Sequence, residues 1–598
     1  MPTRRRIPAF ALPSLLTALL LCAATAWARE GWEVRSVSVT GLPAGVADPA
    51  DRLGLAARGG LLGGNAPVFR EATLQADLQR LRLLLARHGY PYAAIRPSVR
   101  ADERARRVSV TLAVKPGRPV RVADVRVDGV PDGLTEAGRA AASLLPRRAV
   151  FRDADAEAAR RRLAADLAAA GYLHAEATLS VERPDSFTAV VALTAAPGER
   201  LRVVRTEVSG VTDDLVDLAR RTMSVADSAL ATPALLDRAR SNLRELSLFR
   251  QIRIDTEPAG PGAVALRARL AKSPYRTLRF SLGTWSDDPV RARAGWQHRN
   301  IFHHGRGLGF SGSYSLYHQE VSGRAWWPAL VGARSVGEVS ASWQRDDEDG
   351  YTLRNNLVET ALLLRPLDRL SVRLGASLED VTVRGTGADR DEFDSPAGRM
   401  LVFSARVHDD RTDDLLEPTR GVRLTLETAW SPPGALSVSP FGSVEGTAVG
   451  YAPLPAGAVL ASRVALGLAG PLGDVETLLP NRRFFAGGAT TMRGAKRRRL
   501  GPVDDDGDPI GGDAMLLASA EVRAPLWGLV SWAAFLDAGQ VWADRRELTV
   551  DDLQSAAGLG LVFRTPVGPV RTDLARMLRE PRAGEPRTVF HLSIGHPY

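Results

Sequence analysis

Hydrophobic positions follow two rhythms along the chain, and the change falls near Ser273. Upstream, apolar residues recur at helical spacing. Leu74, Leu78, Leu81 and Leu85 share one face of a helix expected near Glu71–Arg87, and Leu235, Ala239, Leu243 and Leu246 share the face of another. Pro233 stands at the first position of that second helix, behind the capping residue Thr232. Downstream, apolar and polar residues alternate. Leu308, Phe310, Tyr314 and Leu316 alternate with glycines and serines, and Leu370, Val372, Leu374, Ala376 and Leu378 with Ser371, Arg373, Gly375, Ser377 and Glu379. Near the end, Phe590, Leu592 and Ile594 lie on one face and His591, Ser593 and Gly595 on the other. Strict alternation is the mark of a strand with one apolar face.

The upstream half is internally repeated. A strand ending in Val-x-Gly occurs at Val39–Gly41, Val127–Gly129 and Val208–Gly210, and the last two glycines are 81 residues apart. The exit signal Pro116-Gly117 recurs as Pro197-Gly198, again 81 residues on. Each unit orders its elements as strand, helical pair, strand, strand, which predicts three small α+β domains over 29–117, 118–198 and 199–272. Such small sheets have free edges that can accept an extended peptide as an added strand.

The alternating half, 273–598, has 326 residues. At about 20 residues for a strand of some ten residues plus its connection, that is about 16 strands, an even number. A soluble sandwich would alternate too. Spanning length, continuation to the last residue without covering helices, and tryptophans near strand ends (Trp285, Trp296, Trp326, Trp327, Trp343, Trp430) favour an antiparallel membrane barrel. Arg291, Arg293 and Glu427 then face a watery lumen, since facing lipid would cost roughly 2–4 kcal/mol each at mid-membrane. Asp346–Asp349 and Asp504–Asp508 read as extracellular loops, and Pro509 stands where a calcium loop needs glycine.

Residues 1–28 read as a secretory signal: Arg4, Arg5 and Arg6, an apolar stretch from Ile7 to about Ala24, then Ala26-Trp27-Ala28. Cys22, the one cysteine, falls inside it, so the mature chain is expected to carry no disulfide and no thiolate ligand. No later segment has the uninterrupted apolar length of a membrane helix. The net charge of +10 comes from arginine, with lysine only at Lys115, Lys272 and Lys496, and does not by itself indicate nucleic acid. No nucleophile elbow, zinc-binding helix or phosphate loop occurs, so no enzymatic activity, cofactor or metal is expected.

Residues 479–495 are less generic. Leu479-Pro480-Asn481-Arg482-Arg483-Phe484-Phe485-Ala486-Gly487-Gly488, followed by Met492-Arg493-Gly494-Ala495, resembles the outer-membrane assembly and transport family of BamA and TamA. There an extracellular loop with a Val-Arg-Gly-aromatic motif folds back into the barrel; here Met492 and Ala495 replace the first and last residues. Phe535-Leu536-Asp537-Ala538-Gly539, Glu521–Leu526, Thr565–Asp573 and Pro418-Thr419-Arg420-Gly421 resemble further motifs of that family. The upstream repeats resemble POTRA domains, and three of them look more like the TamA type than the five-domain BamA type. The resemblance implies a lumenal anchor of Arg493 and Gly494 on Asp537, supported by Phe485, Gly487, Gly488, Glu521, Phe535 and Gly539. Strand parity agrees: if Leu536 meets lipid, Phe535, Asp537 and Gly539 face the lumen.

The resemblance further implies an outer-membrane location with periplasmic POTRA domains, outer-membrane lipid as surroundings and a TamB-like periplasm-spanning partner. It also implies unfolded outer-membrane proteins, autotransporters among them, as clients. A gate is expected between the first strand, about Arg276–Trp285, and the last, whose residues include Phe590, Leu592, Ile594, Gly595 and Tyr598; Pro597 weakens pairing there. The alternatives are a dedicated two-partner secretion channel, whose relatives carry two repeats and usually a plug helix, and a BamA-type general insertase.

Overall fold

The computed structural model describes residues 30–56, 67–286, 288–385, 398–434, 436–565, 570–582 and 584–594. The expected signal at 1–28 and the gate residues Gly595, Pro597 and Tyr598 lie outside the described residues. Two compact units divide the chain. One comprises residues 1–204, 227–236 and 258–265, the other residues 205–226, 237–257 and 266–598.

Strands β1 (Glu33–Thr40), β2 (Ala94–Asp102) and β3 (Arg107–Lys115) form a sheet of order β1-β3-β2, in which β3 runs parallel to β1 and antiparallel to β2. Helix α1 (Glu71–Arg87) buries Leu74, Leu78, Leu81 and Leu85 among Val108, Val110, Leu112 and Val114. Instead of a first helix, the described part of this module has only the 3-10 turn Ala50–Arg52. The second module repeats the pattern with β4 (Arg121–Asp128), β5 (Glu176–Asp185) and β6 (Thr188–Ala196) in the order β4-β6-β5, plus α2 (Thr135–Ala142) and α3 (Asp153–Ala169). The third has β7 (Arg202–Ser209), β8 (Phe249–Pro258) and β9 (Ala263–Lys272) in the order β7-β9-β8, with α4 (Asp213–Met223) and α5 (Pro233–Glu245).

The thrice-repeated glycine has a steric cause. Gly41, Gly129 and Gly210 sit at φ of +77°, +75° and +89°. A Cβ on them would lie 2.2 Å from the Val114 oxygen, 2.2 Å from the Ala195 oxygen and 2.3 Å from the Leu270 oxygen. The first strand of each module leaves the sheet across the carbonyl of its central strand, at a distance no side chain permits. In the first two modules the glycine that ends the long helix makes a joint: Val120 N–H donates to Gly89 O at 2.8 Å, and Leu201 N–H to Gly171 O at 2.9 Å.

Sixteen strands, β10 (Arg276–Trp285) to β25 (Thr588–Ile594), then pair in sequence order, antiparallel throughout. Alternation sorts the two faces. Leu278, Phe280, Leu282, Leu536, Leu559, Leu574 and Phe590 are exposed on one, while Leu517, Ala556 and Met577 are buried on the other. Several strands outrun the ten-residue span: β15 (Tyr351–Leu367) has 17 residues. Asp346, Asp347 and Glu348 accordingly belong to β14 (Ser335–Glu348) and not to a loop, because β14 stays paired with β15 up to Glu348↔Tyr351.

Candidate functional site: a loop anchored in the lumen

The connection between β20 (Val459–Pro471) and β21 (Ala514–Trp527) is the longest one described between barrel strands, and it is folded inward. Leu478, Leu479, Met492 and Arg493 are buried, and Met492 and Leu500 pack among lumen-side residues of the barrel: Ala465, Leu517, Val541, Ala556 and Met577. Its turn is tight. Gly488 N–H donates to the Ala495 carbonyl at 3.0 Å, and Gly487, at φ +113°, lies where a Cβ would meet the Lys496 oxygen at 2.2 Å.

This turn presents Arg493, 2% exposed, to β21 and β22 (Val530–Trp542). Its Nε donates to Asp537 Oδ2 at 2.7 Å and its Nη2 to Asp537 Oδ1 at 2.6 Å, a bidentate pair. Nη1 donates to Glu521 Oε2 at 2.6 Å, and Ser519 Oγ donates to Asp537 Oδ1 at 2.6 Å. The guanidinium lies 3.4 Å from the centre of the Phe535 ring. Glu521 is shared: Arg571, on β24 (Val570–Met577), donates to it at 2.9 and 2.6 Å and to Asp573 at 2.5 Å. Arg523 adds a third cation, 3.4 Å from Glu521. Arginines and carboxylates thus alternate through the buried cluster, so each charge is met by the opposite one. Gly494 has to be small, since a Cβ there would lie 2.4 Å from Ala556 Cβ and 2.6 Å from Met577 Sδ. Gly539 is packed against Leu517 in the same way.

Two further anchors hold the loop. Arg482 pairs with Glu379 on β16 (Leu370–Gly385), which also accepts from Asn355 at 3.0 Å and Ser377 at 3.2 Å. Arg497 donates to both oxygens of Glu348 at 2.6 Å, and Arg498 lies 2.9 Å from the same carboxylate and 3.4 Å from the Phe485 ring centre. Arg493 is therefore distinct from its neighbours Arg497 and Arg498, which reach β14, and from Lys496, which pairs with Glu585 at 3.6 Å. Parity could place Glu379 and Glu348 on a lumen face; their loop partners had no periodicity to betray them. The loop packs on walls from β14 to β24, and along β10–β15 a polar cavity of about 920 Å³ remains, lined by residues such as Arg279, Ser281, Arg293, Ser311, Ser322 and Glu338. Among the described residues no His, Asp, Glu or Cys cluster could hold a metal ion.

Comparison with known families matches an Omp85 superfamily domain to residues 300–598 and a POTRA-type repeat, described as a surface antigen variable number repeat, to residues 57–117. The chain belongs to the Omp85 superfamily. It is similar to the outer membrane protein assembly factor BamA of Nitratidesulfovibrio vulgaris, 35% identical over 129 residues, which are 21% of this chain and 16% of that protein. It is also similar to BamA of Neorickettsia risticii, 23% identical over 411 residues, covering 65% of this chain and 54% of the relative. The chain thus spans about half, or less, of the length of these relatives. In fold it resembles the crystal structure of BamA from Haemophilus ducreyi lacking POTRA domains 1–3, with a TM-score of 0.61 and 18% identity, over 80% of this chain and 99% of that one. The modules are POTRA-type repeats, of β-α-α-β-β form in the second and third, followed by the sixteen-stranded barrel of an Omp85 outer-membrane protein. The POTRA repeats lie in the periplasm.

Proposed function

We propose that this Omp85 protein assembles or translocates other outer-membrane proteins by opening its barrel between β10 and β25. The observation that carries the reading is the weakness of that seam. Neighbouring strands are laddered along their length, whereas no ladder joins β25 to β10 among the described residues. The seam bond described there runs from Ser286 N–H to Leu592 O, at 3.0 Å. Unpaired backbone groups in lipid are very costly. An edge that can be exposed at low cost is therefore a template on which a client strand pairs. Arg493, Gly494 and Asp537 hold the loop during this opening, and the free POTRA sheet edges present extended clients from the periplasm. Three POTRA modules support the TamA-like form of the function, with a TamB-like periplasm-spanning partner and autotransporters among the clients.

The test is a reversible lock. Cysteines introduced as L282C and F590C, both on the outer face, and bridged by a bifunctional methanethiosulfonate cross-linker in cells lacking the native protein, should stop client proteins from reaching the outer membrane, and reductant should restore them. Full activity of the locked form would refute lateral opening. Loss of a single secreted product, with other barrels unaffected, would assign the chain to a dedicated secretion channel.

A further inference from the structure

The loop anchor and the seam lie on different elements, yet one side chain touches both. His591, on β25, is 1% exposed and faces the lumen. Its Nε2 lies 2.7 Å from the carbonyl oxygen of Arg493, the residue that fixes the loop. A carbonyl only accepts, so Nε2 carries the proton. In the neutral ring Nδ1 is then an acceptor, and it sits 3.4 Å from Ser286 Oγ, a long contact with the hydroxyl as donor. Ser286 is the residue whose N–H reaches Leu592 O, next along the strand from His591. A continuous path runs from Asp537 through Arg493 and His591 to Ser286.

We propose that His591 is a positioning residue that couples the lumenal loop to the seam: while Arg493 is seated on Asp537, its carbonyl holds β25 against the turn that follows β10. Displacing the loop withdraws the acceptor from His591 and loosens the seam at Leu592. The inference rests on the lateral-opening reading, since it supplies the control over that opening.

It is tested in the full chain in lipid nanodiscs with spin labels at Leu282 and Phe590, both exposed on the outer face. The readout is the ratio of separated to closed distances across the seam. H591F keeps a ring and removes both nitrogens, and should raise that ratio about tenfold, equivalent to about 1.4 kcal/mol. H591Q retains an N–H that can donate to the Arg493 carbonyl, and should stay close to the native ratio. D537N should raise the ratio as H591F does, and the two together should do no more than either alone. An unchanged distribution in H591F, or effects of H591F and D537N that multiply, would overturn the coupling. Folding is checked by the mobility of unheated samples on gels. If H591F does not fold, H591N, whose amide is too short to reach Arg493, replaces it with the same two readings. The measurement needs no client. A coupled seam in a protein whose cross-linked L282C/F590C lock leaves assembly intact would preserve the coupling and discard lateral opening as the function.

Discussion

At the scale of residues, the Arg493 cluster is a chain of alternating charges and more than a pair. Removing one member leaves its partner buried without its counter-charge. R493A should therefore destabilise the barrel by about 3–5 kcal/mol, measurable as a lower urea midpoint in detergent. Reversing both Arg493 and Asp537 should not restore stability. The new carboxylate at position 493 would face Glu521, now 2.6 Å from the guanidinium, in a poorly solvated lumen. G494A tests packing alone: with Ala556 and Met577 already where its methyl must go, it should cost roughly 1–3 kcal/mol without altering any charge. Parity could read Asp537 and Phe535 as lumenal from Leu536 alone. It could not read the sharing of Glu521 with Arg571, because that contact joins residues 50 positions apart on non-adjacent strands. His591 was legible as a polar-face residue, but nothing in its neighbourhood in the sequence named Arg493 as its contact.

At the scale of elements, the repeated glycines and the turns of the barrel carry the predictions. Placing a side chain at Gly129 forces a left-handed conformation, costing roughly 1–2 kcal/mol, and also sets a methyl against the Ala195 carbonyl. G129A should lower the melting temperature of the second POTRA module, seen by circular dichroism. On the barrel side, the turn after β11 (Asp288–His298) meets helix α4 through Asp214. His304 N–H donates to its carboxylate at 3.1 Å, Thr212 Oγ1 at 2.5 Å and Asn300 Nδ2 at 3.4 Å. Burial pushes the Asp214 carboxyl up, but these hydrogen bonds and nearby His303 outweigh it and hold the group at about 2, against an ordinary 3.8. For an acid lowered on folding, the stabilisation is whole above its unfolded value and disappears as pH falls through the folded one. Backbone hydrogen-exchange protection at residues 300–306 should thus hold at pH 5 and fall as pH drops from about 3.8 toward about 2. D214N should lack that extra protection already at pH 5. Element order and barrel alternation were readable because periodicity encodes them; this turn contact was not, since neither Asp214 nor His304 belongs to a repeating pattern.

At the scale of the whole molecule, the apolar stripes and their change of rhythm were enough to divide the chain into modules and barrel. The count of about 16 strands followed from spacing, and sixteen are present. What spacing could not supply is the path of the loop between β20 and β21, since loops have no period and its three attachments lie on strands far apart in sequence. Those attachments also have a mechanical meaning. Arg482 is fastened to β16, Arg493 to β21 and β22, and Arg497 with Arg498 to β14. Like a beam resting on more supports than it requires, the loop is statically redundant: when one support is cut, the load passes to the others. Unseating Arg493 alone acts locally, on its own cluster and on His591, whereas release of the whole loop from the lumen should require two supports to be removed together.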